Sequence, residues 1–234
     1  MKKAARGLAL PILLLLFPRA LAAAPADDAL WSVAVKAAAI AADWVPGEAA
    51  FVLQLVDDTG SPQETWQMSY RLSASATGDI AMDVVRAAHN GTDTTQKEQE
   101  NQKKRKSTPF SMGDNPFDPL VQDSLEAQRL PDRALKDGVA CVAFDFRLKK
   151  KDATVITGTA WLDERTGNPI EVVSTGKPLP RGIFQMTTTL RFGQGPTGQG
   201  FLKEVLVEGV GGILFIKKGF RSTIGLGAYW RRGS

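Results

Sequence analysis

Histidine and cysteine, on which many catalytic and metal sites depend, occur only once each in this chain of 234 residues. Nucleophilic triads of the usual kind need a histidine base beside a serine or cysteine, so such a mechanism would have to use His89. Zinc sites draw several ligands from clusters of these two residue types. We therefore predict no catalytic residue, no metal site and no cofactor, and we place His89 in a surface loop at a strand end.

The single cysteine excludes an internal disulfide bond, so the stability of the fold must come from packing. Cys141 lies within the apolar sequence VACVAFDF, which is typical of a buried strand. We predict a buried, unreactive thiol at this position.

Long apolar runs are scarce as well. The run at residues 8–17 contains Pro11 and is far shorter than the ~20 residues that a membrane-spanning helix needs. Basic residues precede this run, and Ala20-Leu21-Ala22 follows it. This order is typical of a secretory signal peptide. We predict a signal peptide at residues 1–22, cleaved near Ala22, and a single exported domain at residues 23–234.

An excess of basic charge is absent once the signal peptide is set aside. The whole chain has 29 basic and 25 acidic residues, but four basic residues and no acidic ones lie in residues 1–22. This balance argues against a nucleic-acid partner. Basic residues do concentrate near the C-terminus, where we predict a contact with a membrane or a partner protein through Lys217, Lys218, Arg221, Trp230, Arg231 and Arg232.

What the sequence does contain is a pattern of period two. After one amphipathic helix at residues 27–44, alternation of apolar and polar residues predicts about eight to ten antiparallel strands in one strongly curved sheet. The fold class is therefore α+β. The predicted strands cover residues 51–56, 65–73, 79–85, 141–150, 155–163, 169–174, 182–192, 201–209 and 212–224.

Two segments interrupt the alternation. Residues 93–130 form an insertion in which a charged loop precedes a predicted helix at residues 119–130, with Asp118 as its N-cap. The sequence GQGPTGQG at residues 193–200 matches a dinucleotide-binding fingerprint formally, but a strand-like segment follows it where that motif needs a helix. We predict a hairpin loop at this position.

Large and adaptable side chains recur on the strand faces, and one or two helices cannot cover a sheet of this size. Either the sheet closes into a barrel, or an apolar concave face remains available to a ligand. Methionine and aromatic side chains suit such a face because they adjust to alkyl chains of different shape. The candidate ligand-binding residues are Trp66, Met68, Tyr70, Leu72, Met82, Phe144, Phe146, Trp161, Phe184 and Met186.

The order of these elements resembles that of a known superfamily. The sequence GTAWLDERTGNPIEV is predicted to form two strands joined by a turn at Thr166-Gly167, and it is followed by MTTTLRF, a glycine-rich hairpin and GGILFIKKGFRSTIGLGAYW. This chain resembles the LolA-like periplasmic carriers of outer-membrane lipoprotein sorting. The resemblance implies an unclosed β-barrel wrapped over helices, without catalysis or a cofactor, whose apolar cavity receives acyl chains.

The sequence leaves three possible functions. The resemblance favours a periplasmic carrier or chaperone, monomeric, that binds acyl chains of lipids or lipoproteins and also contacts envelope membrane proteins. A second possibility is a non-catalytic interaction or sensor module of the envelope that uses the same fold without a lipid. The third is a hydrolase centred on His89, for which the sequence gives no other support.

Overall fold

The computed structural model describes residues 28–74, 80–104, 114–198, 200–213 and 216–232. The predicted signal peptide at residues 1–22 lies outside these ranges. Within them, no helix combines the length and the apolar character needed to cross a membrane.

Helix α1, Ala29–Ala41, is the amphipathic helix expected from the sequence. The side chain of Asp28 accepts a hydrogen bond from the Leu30 amide at 2.9 Å and so caps the first turn. Trp31, Ala34 and Ala37 recur at three-residue steps and are buried. Because two of these residues are alanines, the helix backbone can lie close to the sheet.

Eleven strands form one antiparallel sheet with the spatial order β5-β4-β3-β2-β12-β11-β10-β9-β8-β7-β6. The first and last long strands, β2 and β12, pair in its middle, while β5 and β6 lie at opposite edges, so the sheet does not close. The α+β class and the unclosed sheet are confirmed. The strands are β2 Glu48–Val56, β3 Pro62–Ala74, β4 Ile80–His89, β5 Thr92–Asp93, β6 Leu125–Lys136, β7 Val139–Lys149, β8 Val155–Asp163, β9 Pro169–Lys177, β10 Ile183–Gln194, β11 Gly200–Ile213 and β12 Ile216–Gly227.

The hairpin of β8 and β9 contacts α1 through its turn. Asp163 accepts hydrogen bonds from the Arg165 amide at 2.8 Å and the Thr166 hydroxyl at 2.7 Å. Burial opposes ionisation of Asp163, but these hydrogen bonds outweigh it and lower the pKa of its carboxyl. Gly167 has φ +72°, and a Cβ there would lie 2.9 Å from Cβ of Val33 in α1. The turn therefore fixes the helix against the sheet.

The predicted helix at residues 119–130 is wrong over its second half. Only a short 3-10 helix, Pro119–Ser124, forms after the Asp118 cap, and β6 begins at Leu125. Leu125 and Ala127 are buried while Glu126 between them is exposed, which is the burial period of a strand. The charged part of the insertion is also not all loop, because α2, Thr95–Lys104, is helical.

The hairpin after β11 was not predicted, whereas the hairpin before β11 was. Residues 212–224 were expected to form one strand, but β11 ends at Ile213 and β12 begins at Ile216, its partner in the register, so a hairpin reverses the chain there. The glycine-rich segment at residues 193–200 joins β10 to β11 as a hairpin, as predicted. No helix follows it.

A second, smaller packing unit lies beside the start of β11, outside the main sheet. Strand β1, Trp44–Val45, pairs with β13, Trp230–Arg231, outside the main sheet. The ring of Phe201 lies 5.9 Å from that of Trp44 and 5.0 Å from that of Tyr229. The Tyr229 hydroxyl donates a hydrogen bond to the Leu202 carbonyl oxygen. These contacts join both ends of the described chain to β11.

Alkaline pH is expected to destabilise this unit through Tyr229. Burial raises the pKa of Tyr229 to about 12, from a value of 10.0 for an exposed tyrosine. The folded state therefore holds its phenolic proton more tightly, so this contribution to stability is complete below pH 10 and is lost as the pH rises towards 12. Urea unfolding across this range should show the loss in the wild type. Tyr229→Phe should remove this part of the pH dependence, whereas Tyr70→Phe, at the other tyrosine, should retain it.

Candidate functional site

Helices cover only one half of the inner face of the sheet. Helix α1 and the 3-10 helix pack on the half that contains β7 to β11, where Trp31, Phe117 and Phe144 form a continuous aromatic cluster. The ring of Trp31 lies 4.9 Å from Phe117 and 5.5 Å from Phe144, and its Nε1 donates to Gln122 of the 3-10 helix at 3.1 Å. This half is an ordinary hydrophobic core.

The inner face of β12, β2 and β3 is less well covered. The strand register aligns Ile224 with Phe51 and Phe51 with Met68, so these side chains share the face on which α1 packs. Several other residues of these three strands on the same face are large and apolar, and they remain partly exposed. We call this surface the trough; it consists of Phe51, Leu53, Leu55, Trp66, Met68, Tyr70 and Phe220.

A cavity of about 380 Å³ lies where the covered half meets the trough. Its apolar lining includes Met186, Val205 and Val207. Ile224 also lines it and is the register partner of Phe51, so the cavity and the trough are neighbours on one apolar face. This volume is in the range of small-molecule sites, about 300–1,000 Å³.

Few polar groups line the cavity. Hydroxyl groups come from Thr154, Ser174 and Thr188, and Asp114 contributes a carboxylate. Asp114 accepts a hydrogen bond from Lys150 Nζ at 2.9 Å, and this hydrogen bond raises the pKa of Lys150. The arrangement provides an apolar space with one ion pair at its margin, which suits a ligand with a long apolar part and a polar end.

The predicted ligand-binding residues divide into four groups, of which Trp161 and Phe184 form the last. Trp66, Met68 and Tyr70 lie in the trough, and Met82 lies beside it on β4, opposite Leu72 in the register. Met186 lines the cavity. Leu72, Phe144 and Phe146 are buried, so the structure places them in the protein interior.

Trp161 and Phe184 lie away from the cavity and the trough. Ala160 and Leu162 are fully buried on the inner face, so Trp161 between them points to the outer face, where Lys136 Nζ lies 4.9 Å from its ring centre. Phe184 lies at a register shift in β10, is 49% exposed and has Lys217 Nζ 5.1 Å from its ring centre. The structure thus does not bring these two residues together with the others.

Of the residues that line the cavity, sequence reasoning identified only Met186; the apolar residues of β11 and β12 that it missed are Val205, Val207, Ile224 and Leu226. Each belongs to an alternating strand segment, so the signal was present in the spacing of β11 and β12. They were not predicted because the candidate residues were chosen for large aromatic or methionine side chains, and the side chains of these four residues are smaller.

His89 is the last residue of β4 and not a loop residue. Its ring stacks on Trp66 with 4.8 Å between ring centres and 7° between planes. Its Nε2 lies 3.9 Å from a carboxylate oxygen of Glu64 and has no hydrogen-bond partner. Among the described residues, no group of three or more His, Cys, Asp or Glu side chains could hold a metal ion. Cys141 is buried, as predicted, and burial raises the pKa of its thiol.

The basic residues predicted to contact a membrane or a partner lie at two opposite ends of β12. Lys217, Lys218 and Arg221 are near its start, and Arg221 pairs with Glu208 at 2.7 Å. Trp230, Arg231 and Arg232 follow its end. The six steps from Arg221 to Gly227, where β12 ends, span roughly 20 Å at ~3.3 Å per residue in a strand. The six residues therefore do not form one patch.

No protein-family model matches this chain, and no curated protein is similar to it in sequence. Solved structures are similar. A domain described as an outer membrane lipoprotein-sorting protein from Vibrio parahaemolyticus is 12% identical, with a TM-score of 0.39, over 87% of this chain and 94% of that one. A LolA superfamily protein from Nitrosomonas europaea is 9% identical, with a TM-score of 0.41, over 87% and 93%. A DUF1329 family protein from Desulfovibrio piger is 11% identical, with a TM-score of 0.39, over 88% and 93%.

Proteins of the superfamily that the sequence resembles are thus among the solved structures to which this chain is similar. At these identities and TM-scores the likeness says nothing about a ligand or a partner. The function therefore has to be argued from the cavity and the trough themselves.

Proposed function

We propose that this chain is a periplasmic, non-catalytic carrier or binding protein that shields acyl chains of lipids or lipoproteins. The observation that supports this most directly is the incomplete cover of the inner face. A cavity of about 380 Å³ meets a trough of large, partly exposed apolar side chains. An exposed apolar surface of this kind marks a binding site more often than an accident of folding.

The chemistry of the lining fits an alkyl chain. Burying one methylene group contributes about 0.8 kcal/mol, so ten methylenes would contribute roughly 8 kcal/mol before the cost of ordering the chain. That is the free energy of a dissociation constant of about 1 μM. Met186 in the cavity and Met68 in the trough have flexible side chains that adapt to chains of different shape. Binding therefore needs no strong polar contact.

The predicted export places such a protein where acyl chains must cross water. A lipid or lipoprotein that travels between the two membranes of the envelope exposes its chains unless a protein covers them. The unclosed sheet suits this role because a chain can enter the trough from the side without the sheet opening. Delivery to the outer membrane is the specific role that we propose within this class.

Co-purification tests the proposal. The chain, produced with its own N-terminal segment in a bacterial periplasm and purified without detergent, is expected to carry acyl lipid or lipopeptide close to one molecule per chain. Extraction with organic solvent and mass spectrometry would measure it. A blank extract, repeated after incubation with vesicles of envelope phospholipids, would contradict the proposal and would favour the interaction module instead.

A further inference from the structure

Strand β4 has an outer edge that β5 covers only at one end. Strand β5 pairs with Ala88 and His89 alone, and the Thr94 amide donates to the Ala87 carbonyl oxygen at 2.9 Å. The backbone groups of Met82 and Val84 face the same edge, and among the described residues no strand pairs with them there. Such an edge presents a template on which another strand can pair, and proteins commonly cover it.

Helix α2 satisfies these groups with its side chains. Gln102 accepts a hydrogen bond from the Val84 amide at 3.0 Å and donates one to the Met82 carbonyl oxygen. Gln99 donates to the Val84 carbonyl oxygen at 2.9 Å, and Thr95 accepts from the Ala87 amide at 3.0 Å. Thr95, Gln99 and Gln102 are spaced four and three residues apart and so share one helix face. This face takes the place of a neighbouring strand along β4.

Another contact that holds the start of α2 comes from the Asp93 side chain, which accepts a hydrogen bond from the Thr95 amide at 2.8 Å. The sequence of α2, TQKEQENQKK, has no apolar residue, and none of its side chains is buried. A helix of this length is marginal in water by itself. Hydrogen bonds between side chains and backbone add little net stability, because water replaces them when the helix leaves. An incoming strand could replace the same bonds with its own backbone groups.

We propose that the outer edge of β4 is a strand-acceptor site, which α2 covers in this structure and which takes an extended, amphipathic segment of a partner polypeptide when α2 leaves. Addition of a strand to a sheet edge is a common mode of peptide recognition, in which main-chain hydrogen bonds provide affinity and alternate side chains provide specificity. This surface is distinct from the cavity, and the proposal does not depend on a lipid.

The side chains of β4 indicate what kind of segment fits. Met82 and Val84 point to the inner face beside the trough, so the partner's residues on that face should be apolar. On the outer face Asp83 is exposed, so a basic residue opposite it is favoured. Strand β3 has this pattern on the other side of β4, where Arg71 is the register partner of Asp83.

A peptide with the sequence of residues 64–73, ETWQMSYRLS, is therefore a suitable probe. The wild type, Gln99→Ala/Gln102→Ala and the control Gln96→Ala would be titrated with it by calorimetry. Gln96 lies on α2 but bonds to Glu100 and not to β4. We expect the double variant to bind the peptide at least about fivefold more tightly than both other proteins, because α2 no longer competes for Val84. A peptide with proline in place of Met68 should not bind, since it lacks a central amide.

Amide hydrogen exchange locates the peptide. Bound peptide is expected to slow exchange at the Val84 amide of the double variant, and cis-parinaric acid, a fluorescent fatty acid, should not displace it. Equal affinity for all three proteins would overturn the proposal, and so would a peptide that the fatty acid displaces, since it would lie in the trough. A double variant that dimerises in sedimentation experiments with a protected Val84 amide would identify a second copy as the occupant and would also overturn it.

Discussion

Replacement of Phe144 by alanine is expected to lower the free energy of unfolding by about 3–5 kcal/mol. Phe144 is fully buried in β7, and its ring contacts Trp31 of α1 with 5.5 Å between ring centres. The change would leave a hole between the helix and the sheet, in a region where several fully buried residues prevent collapse. Urea unfolding followed by tryptophan fluorescence and circular dichroism would measure the loss.

Phe184→Ala is the matched control, because it removes the same atoms from a residue that is 49% exposed. Its effect is expected to stay within about 0.5–1 kcal/mol, mostly from the contact with Lys217. A similar loss for both variants would show that α1 is not packed on Phe144 as described. The comparison also separates two residues that sequence reasoning had placed together as ligand contacts.

Most of the sheet was predictable because its strands alternate. The predicted strand at residues 155–163 agrees with β8 at both ends, and the turn after it contains the Asp163 and Gly167 that the geometry requires. Strand β6 was missed because its apolar residues are few and its pairing is interrupted between Arg129 and Arg133, around Pro131. A local pattern this weak is decided by the neighbouring strand β7, which the sequence does not reveal by itself.

The candidate site was less predictable, for two physical reasons. Alternation places Phe144 and Met68 on the same kind of face, but only the position of α1 makes one of them core and leaves the other partly exposed. The pairing of β2 with β12 joins residues about 170 positions apart, from Phe51 to Ile224, and so creates the boundary at which the cavity lies. Contacts of such long range leave no mark on local spacing.

The remaining differences arise because side chains were assigned to the wrong face of a strand. The sequence alone could have excluded Trp161 from the inner face. Alternation places it on the face opposite to Ala160 and Leu162, which are buried. The sequence alone could not have excluded Phe184, because the register shift between Ile183 and Gln185 changes the alternation there. The role of α2 was also hidden, because its glutamines act on a strand edge that exists only in the folded sheet.

Met186→Glu is expected to weaken binding of cis-parinaric acid by at least about tenfold, which corresponds to about 1.4 kcal/mol. Met186 is only partly buried and lines the cavity, so the chain should tolerate the substitution better than it tolerates Phe144→Ala. A carboxylate at this position would have to lose water when an alkyl chain enters the cavity. No basic side chain is among the described residues that line the cavity, and Lys150 at its margin is already paired with Asp114. Fluorescence titration of the fatty acid would measure the effect.

Gln185→Glu is the matched control, because it adds the same charge one residue away on the exposed outer face of β10. It should leave the affinity for the fatty acid unchanged. Equal weakening by both variants would mean that the loss of affinity comes from charge repulsion of the carboxylate ligand and not from the change inside the cavity. Met68→Glu and Gln67→Glu form the same comparison on β3. If Met68→Glu also weakens binding, the ligand extends from the cavity into the trough; if only Met186→Glu does, the ligand is confined to the cavity. Binding that survives both methionine substitutions would contradict the proposed function, because the acyl chain would then have to lie on another surface.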